Sequence, residues 1–400
     1  MTMAYAAWKK HPNTYVMYTF KNRTKDIRLA EYIDIGDLRA QIYALSRLKL
    51  TEKEIAYLDS WKIFPILFIR FLAETIGKTP INFCVEKTLD GQFDIYFEGN
   101  WAHVILYETM ILSIINEMFA KKIMTGMTKD SIDLMYREGA VKTCEKLEMV
   151  SECQAQYVEF GTRRRHSAVW QERVLTTCID TKNPYFLGTS NCKLAMKYNI
   201  PCLGTIAHEW FMVKAALDYA ALKEGLVDKA WFRDTQKRSI HDWINVYGKG
   251  LSVILTDTFG TDDFFRVFDK DIADFCLGVR QDSGDPFVFG EKTIDHYKSL
   301  GVNPCDKKLM FSDGLDVGMI CDLQNVFKGR INPSYGWGTN LTNDLWIKPL
   351  SIVVKATYAN DIATVKLSDN MAKAMGPDNI VEFYKEVFAY NKKDFVQTTY

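Results

Sequence analysis

Net charge is what this chain most plainly lacks: Lys plus Arg and Asp plus Glu each total 50 of 400 residues. A balanced surface has no long-range field to draw in nucleic acid or an anionic membrane, so neither partner is expected. Cysteine motifs are missing as well. The nine cysteines include no C-x-x-C, and the nearest two, Cys144 and Cys153, are nine positions apart. That scatter suits reduced, mostly buried thiols in a cytoplasmic protein better than a disulfide framework or a zinc site. The opening MTMAYAAWKKHPNTY has neither the apolar centre nor the small-residue cleavage site of a signal peptide. No long apolar run is free of polar interruption. The best candidate span, HVILYETMILSIINEMFAKKI, contains Glu108, Asn116 and Glu117, which predicts a helix packed on the protein core and a soluble, intracellular chain.

Familiar catalytic signatures are also absent. GTIAHEWFM begins like a zinc-protease helix, but Met212 stands where H-E-x-x-H needs its second histidine. GWGTNL lacks the third glycine of a dinucleotide fingerprint, and GDPFVFGEKT has its Gly and Lys out of step with a phosphate loop. No G-x-S-x-G occurs, which removes the usual esterase elbow.

What is present divides the chain in two. Over residues 1–152, LRAQIYALSRL, PILFIRFLAETI and DLMYREGAVKTCEKL carry apolar residues at helical spacing, and INFCVEKTLDGQFDIYFEG alternates around an Asp-Gly turn. This reads as an α+β accessory domain with a hairpin, to which about 358–400 also contributes. From 153 to 357 short apolar segments end in loops rich in Gly, Ser, Thr and Asp: QYVEFGTRRR, YFLGTSN, IPCLGTIAHE, SVILTDTFG, FCLGVRQDSGDP, KLMFSDGLD, INPSYGWGTN and LSIVVKA. Eight such units fit a (β/α) barrel of the α/β class, with an open doubly wound sheet as the competing layout. In both, polar residues at the carboxyl ends of strands line the ligand site.

The polar loops suit anions and a sugar. Arg163, Arg164 and Arg165 follow a strand, so alternate side chains point to opposite faces and at least one aims inward to clamp a carboxylate or phosphate. RQDSGDP sets Arg280 beside Asp282 and Asp285, an arrangement for a phosphate together with Mg²⁺ or ribose hydroxyls. Gly314, Gly336 and Gly338 allow backbone N–H groups to approach an anion, and Ser312, Asp313 and Thr339 add side-chain partners. As isolated loops each of these is also explained by ordinary turn chemistry.

With FGTRRRHS, GTSN, GTIAHEWF, LTDTF, RQDSGDP, FSDGLD, GWGTNLTND and the late KLSDNMAK in order, the chain resembles the nicotinate phosphoribosyltransferases from residue 1 to about 373. The resemblance implies an irregular (β/α) barrel with an N-terminal α+β domain, and a homodimer with shared active sites. It implies transfer of phosphoribosyl from phosphoribosyl pyrophosphate to nicotinate, coupled to ATP hydrolysis, with Mg²⁺ and in NAD salvage. His208 matches the histidine that ATP phosphorylates, with Glu209 beside it to orient the ring, and Thr205 matches a nicotinate contact. Arg280 and Thr339 match positions that bind the phosphoribosyl substrate. Members usually begin with a D-x-Y-K segment whose tyrosine packs on the pyridine ring, and MTMAYAAWKK aligns with the helix that follows it. A nicotinamide-using relative and a non-catalytic phosphoribosyl sensor are the rival readings. Residue spacing alone also allows a sugar-phosphate aldolase or isomerase, though no strand-end Lys stands out for a Schiff base.

Overall fold

The computed structural model describes residues 1–78, 82–370 and 373–390. Ile81 of the predicted hairpin, Met371 and Ala372 of KLSDNMAK, and 391–400 of the expected C-terminal contribution lie outside the described residues. Among the described residues eleven strands form two sheets, one antiparallel and one parallel.

The antiparallel sheet runs in the order β11 (Ile362–Ala363), β10 (Ile352–Ala359), β1 (Tyr15–Asn22), β3 (Phe93–Asn100) and β2 (Asn82–Lys87). In β1 the alternation of YVMYTFKN buries Val16, Tyr18 and Phe20 on one face, as period-two patterning requires. The expected hairpin is β2–β3, and Gly91 supplies the positive φ of +80° at its turn. The Tyr107–Met124 helix covers the sheet's inner side with Ile111, Leu112, Ile115 and Phe119. The helical stretch Trp101–Met124 is long and apolar enough to cross a membrane, yet 61% of its most apolar window is buried inside the protein. Its polar interruptions have internal partners. Asn116 donates to the Arg165 carbonyl at 3.3 Å, while Glu108 and Glu117 pair with Arg163 and Arg165.

The parallel sheet runs β5 (Phe186–Thr189), β4 (Tyr157–Glu159), β9 (Asn332–Trp337), β8 (Lys308–Phe311), β7 (Gly278–Gln281) and β6 (Val253–Leu255). A further parallel bridge joins Thr189 to Cys202. Among the described residues no ladder links this edge to β6, so the barrel is irregular. Its strands are short and buried on both faces, which is why they read as apolar runs without alternation.

Two of the eight expected barrel units differ: IPCLGTIAHE contributes only the Cys202 bridge, and another leaves the parallel sheet. LSIVVKA forms β10, which pairs antiparallel with β1 over seven registered positions from Val16↔Ala359 to Asn22↔Ile352. Its alternating burial, with Ile352, Val354 and Ala356 inward, is the pattern of a sheet with only one covered face. After β11 the chain crosses back to the barrel mouth, where the Leu367 amide donates to the Thr258 carbonyl at 2.9 Å. The thiols are also less buried than expected. Only Cys178 and Cys276 are buried, and the other seven are partly or fully exposed.

Outer helices pack closely on the parallel sheet. Gly290, in the Pro286–Ser299 helix, lies against Phe327 so tightly that an added Cβ would sit 2.1 Å from its Cζ. Gly290→Ala should therefore lower stability by about 1–3 kcal/mol through overpacking. The check is a reduced denaturant midpoint at unchanged m-value.

Candidate active site

Each parallel strand delivers polar residues at its carboxyl end. β6 leads into Thr256, Asp257 and Thr258, β7 into Asp282 and Ser283, and β8 into Ser312 and Asp313. His208 opens the His208–Lys223 helix and meets these ends. Its Nδ1 lies 3.0 Å from Thr258 Oγ1, and its Nε2 lies 2.9 Å from Asp282 Oδ2 and 2.8 Å from Lys366 Nζ.

The second carboxylate of the cluster is Asp257, 3.6 Å from His208 Nε2 and 3.3 Å from Lys366 Nζ. Ser283 Oγ donates to Asp257 Oδ2 at 2.6 Å, while Asp257 Oδ1, the atom 3.6 Å from His208, is buried and makes no hydrogen bond. Asp282 Oδ1 accepts from Ser312 Oγ at 3.0 Å, and the Asp282 carbonyl accepts from Lys373 Nζ at 2.7 Å. Lys373 also reaches Asp313 Oδ1 at 2.6 Å. Gly314, at φ +59°, turns the chain just beyond that acid.

Burial and the Lys366 charge push His208 down to about 4, against the pull of Asp257 and Asp282, so the ring is neutral near pH 7. For Asp257, burial favours the proton, but His208 and Lys366 more than offset it and bring the group to about 2. Lys366 is held below the ordinary lysine range by burial, with Asp257 and Asp282 pulling the other way. Two neutral tautomers are open to His208. If Nδ1–H donates to Thr258, the single Nε2 lone pair accepts from Lys366, and it becomes nucleophilic when that hydrogen bond is released. If Nε2–H faces Asp282, that carboxylate is placed to take the proton.

Glu209 does not orient the ring. Successive helical residues diverge by about 100°, so Glu209 turns into the antiparallel part, where its Oε1 accepts from Tyr18 OH and Trp101 Nε1, each at 3.0 Å. Trp210 turns a further step and stacks on Trp101. The three arginines also part company, because Thr162–Arg164 is a 3₁₀ turn rather than a strand continuation. Arg165 is held by Glu117 and Gln171, and Arg164 Nε donates to the Ile352 carbonyl. Arg163, paired with Glu108 but 59% exposed, has a charge that bears on Asp282, Glu209 and Arg280.

Arg280 Nη2 donates to the Ile206 carbonyl at 3.0 Å, and its Nε is buried without a partner, a donor suited to an anion. Thr205 is half-buried on the loop between that contact and His208. Asp285 sits apart. It is exposed and caps the Pro286–Ser299 helix, accepting from the Phe287 and Val288 amides. Asp316 is likewise a helix cap, on Met319. Gly336 is a packing glycine, because a Cβ there would strike Phe160 at 2.6 Å. Gly338 and Thr339 stand half-buried at the start of a short helical turn after β9.

Several site residues were not singled out from the sequence: Asp257, Thr258, Lys366 and Lys373. Their signals were the strand-end LTDTF and the polar KLSDNMAK, both visible as motifs without showing which side chains turn inward. Lys355 and Arg23 were missed as well. Burial, then the neighbouring Lys366, Arg23 and Lys373, holds Lys355 well below its ordinary value. Beside this cationic group a cavity of about 340 Å³ is lined by Lys21, Arg23, Lys355, Thr19, Thr357 and Met375.

The donor atoms of His208, Asp257 and Asp282 lie within 4.8 Å of one another. For Mg²⁺, which takes oxygen ligands and shares its shell with substrate phosphates, the fitting pair is Asp257 and Asp282, with the orphaned Asp257 Oδ1 available. Asp285, facing outward as a cap, does not join them.

A neutral, largely buried histidine among cations and carboxylates at a barrel mouth is suited to group transfer with polyanionic substrates. Comparison with known proteins specifies the class. Residues 155–392 match the nicotinate phosphoribosyltransferase (NAPRTase) family, and residues 1–116 match its N-terminal domain. The chain is 36% identical over 393 residues to nicotinate phosphoribosyltransferase of Burkholderia mallei, covering 97% of this chain and 94% of that one. A crystal structure of the Porphyromonas gingivalis nicotinate phosphoribosyltransferase superposes with a TM-score of 0.85 at 31% identity, over 97% of this chain and 96% of that one. A putative nicotinate phosphoribosyltransferase from Saccharomyces cerevisiae gives 0.86 at 30% identity, over 98% and 96%. The chain belongs to the nicotinate phosphoribosyltransferase family.

The lowered His208 value has a consequence for stability. An unfolded histidine binds its proton near 6.5, so this group's contribution is present above that pH and is lost as pH falls from about 6.5 to about 4. Lys366→Met should raise the His208 value, because one of the two causes that depress it is removed. An NMR titration of the imidazole that shows no upward movement would exclude Lys366 as a determinant.

Proposed function

We propose that the chain transfers phosphoribosyl from phosphoribosyl pyrophosphate to nicotinate, giving nicotinate mononucleotide and pyrophosphate, and couples this to ATP hydrolysis through a phosphohistidine at His208. The observation that carries the reading is the neutral His208 ring held between Asp282 and Lys366. His208 Nε2 attacks the terminal phosphorus of ATP, the bridging P–O bond breaks, and ADP leaves with the electron pair. Asp282 takes the proton where Nε2 carries one. Lys366, Lys373 and Arg280 offset the phosphate charge, and Arg23 with Lys355 extends the same cationic surface.

In the transfer itself the C1–O bond to pyrophosphate breaks through an oxocarbenium-like state and the pyridine nitrogen bonds to C1. Arg163, whose charge acts on Asp282 and Arg280, is assigned to the nicotinate carboxylate, with Thr205 as a second contact. A cation there favours the acid over nicotinamide. Asp257 and Asp282 would hold Mg²⁺, which supplies charge neutralisation on the departing pyrophosphate. Water then hydrolyses the phosphohistidine and restores the ring. A homodimer and a place in NAD salvage belong to the same proposal.

Nucleotide formation from nicotinate and phosphoribosyl pyrophosphate should be accelerated by ATP, and His208→Ala should abolish the acceleration while leaving a slow ATP-independent rate. Radiolabel from the ATP γ-phosphate should appear on the wild-type chain and not on the variant. Arg163→Ala should raise the KM for nicotinate roughly tenfold or more, as loss of a charged hydrogen bond implies. Equal turnover of nicotinamide would overturn the substrate assignment.

A further inference from the structure

Cys192 and Cys202 lie on two neighbouring strand-end loops, with their sulfurs 3.4 Å apart. Cys192 follows the Thr189–Asn191 loop of GTSN and begins the Cys192–Tyr198 helix. Cys202 sits on the bridge to Thr189 and stands two residues before Gly204 and three before Thr205. Both are partly exposed. We propose that Cys192 and Cys202 form an oxidisable dithiol whose conversion to a disulfide clamps the two loops flanking the nicotinate end of the site.

The chemistry follows from the pair. Cys202 donates its S–H toward Cys192, and that hydrogen bond, against burial, brings Cys192 down to about 6 and makes it the thiolate. A peroxide oxidises it: the thiolate attacks one oxygen, the O–O bond breaks, and water leaves to give a sulfenic acid. Cys202 sulfur then attacks Cys192 sulfur, and the sulfenic oxygen departs as a second water. Two thiols and one peroxide give one disulfide and two waters, with both electrons accepted by the peroxide.

The link to the site is structural. Asn191 Nδ2 reaches Thr162 Oγ1 at 3.2 Å, next to Arg163, and the Leu203 amide donates to the Thr189 carbonyl at 2.9 Å. The strands approach so closely that a Cβ on Gly188 would lie 2.3 Å from the Pro201 carbonyl oxygen. A disulfide with its bond of about 2.05 Å would tie the two loops covalently at this close approach. A second thiol pair, Cys153 and Cys321, has its sulfurs 2.7 Å apart between the Lys129–Cys153 and Val317–Phe327 helices. It serves as an internal comparison.

The effect on turnover rests on the proposed function, whereas the linkage does not. The full-length reduced chain is treated with hydrogen peroxide and its peptides are mapped without reduction, alongside the nicotinate KM and hydrogen exchange over 203–208. A Cys192–Cys202 peptide should appear, exchange in that segment should slow, and KM should rise roughly threefold or more, all reversed by dithiothreitol. Cys202→Ser should keep the unoxidised activity and lose every response, and Cys153→Ser should keep them. Peroxide that leaves Cys192 and Cys202 unlinked overturns the site. Linkage without change in KM or exchange overturns the clamp.

Discussion

A buried ion pair is the constraint on which the rest of the structure depends. Lys366 and Asp257 have side chains only 2% and 1% exposed, and neither charge is tolerable there without the other. Lys366 arrives on the segment that leaves the antiparallel sheet, and Asp257 stands at the carboxyl end of β6 in the barrel. The pair therefore fastens the two parts of the molecule at the point where the chemistry is proposed. Ser368 and Asp369 tighten the same junction through Ser283, and Asp369 also accepts from the Thr261 amide at 2.9 Å.

That junction sets the state of His208. A histidine beside two carboxylates alone would be drawn toward the imidazolium, which has no lone pair to offer. Burial and the Lys366 charge reverse the tendency and leave a neutral ring. The same ammonium is a ready counter-charge for a phosphoryl group arriving at Nε2. Structure and proposed chemistry thus use one lysine, and the antiparallel part becomes a component of the site rather than an appendage.

The first helical residues after Ala207 show how one short motif serves three tasks. His208 faces the barrel mouth, Glu209 bonds to Tyr18 and Trp101, and Trp210 is fully buried between Trp101 and Trp243. Burial and the nearby Glu108 raise Glu209 above the ordinary carboxylate range, while Tyr18 and Trp101 anchor its Oε1 within the core. The histidine is held in place by everything packed behind it.

The sequence by itself determined the strand-end loops, the hairpin with its Asp-Gly turn, the buried helix with polar interruptions, and the family-specific order of motifs that pointed to His208, Asp282 and Arg280. These are local signals, because turn chemistry and side-chain periodicity are properties of neighbouring residues. Only the tertiary structure decided that LSIVVKA pairs with β1, since a short apolar run fits either kind of sheet until its partner is known. It alone separated Arg163 from Arg164 and Arg165, turned Asp285 outward as a helix cap, set Asp257 near His208, and brought Lys366 to a histidine 158 positions away. Those assignments rest on which way a side chain faces and what meets it. Such contacts join residues that are far apart along the chain, and sequence spacing carries no record of them.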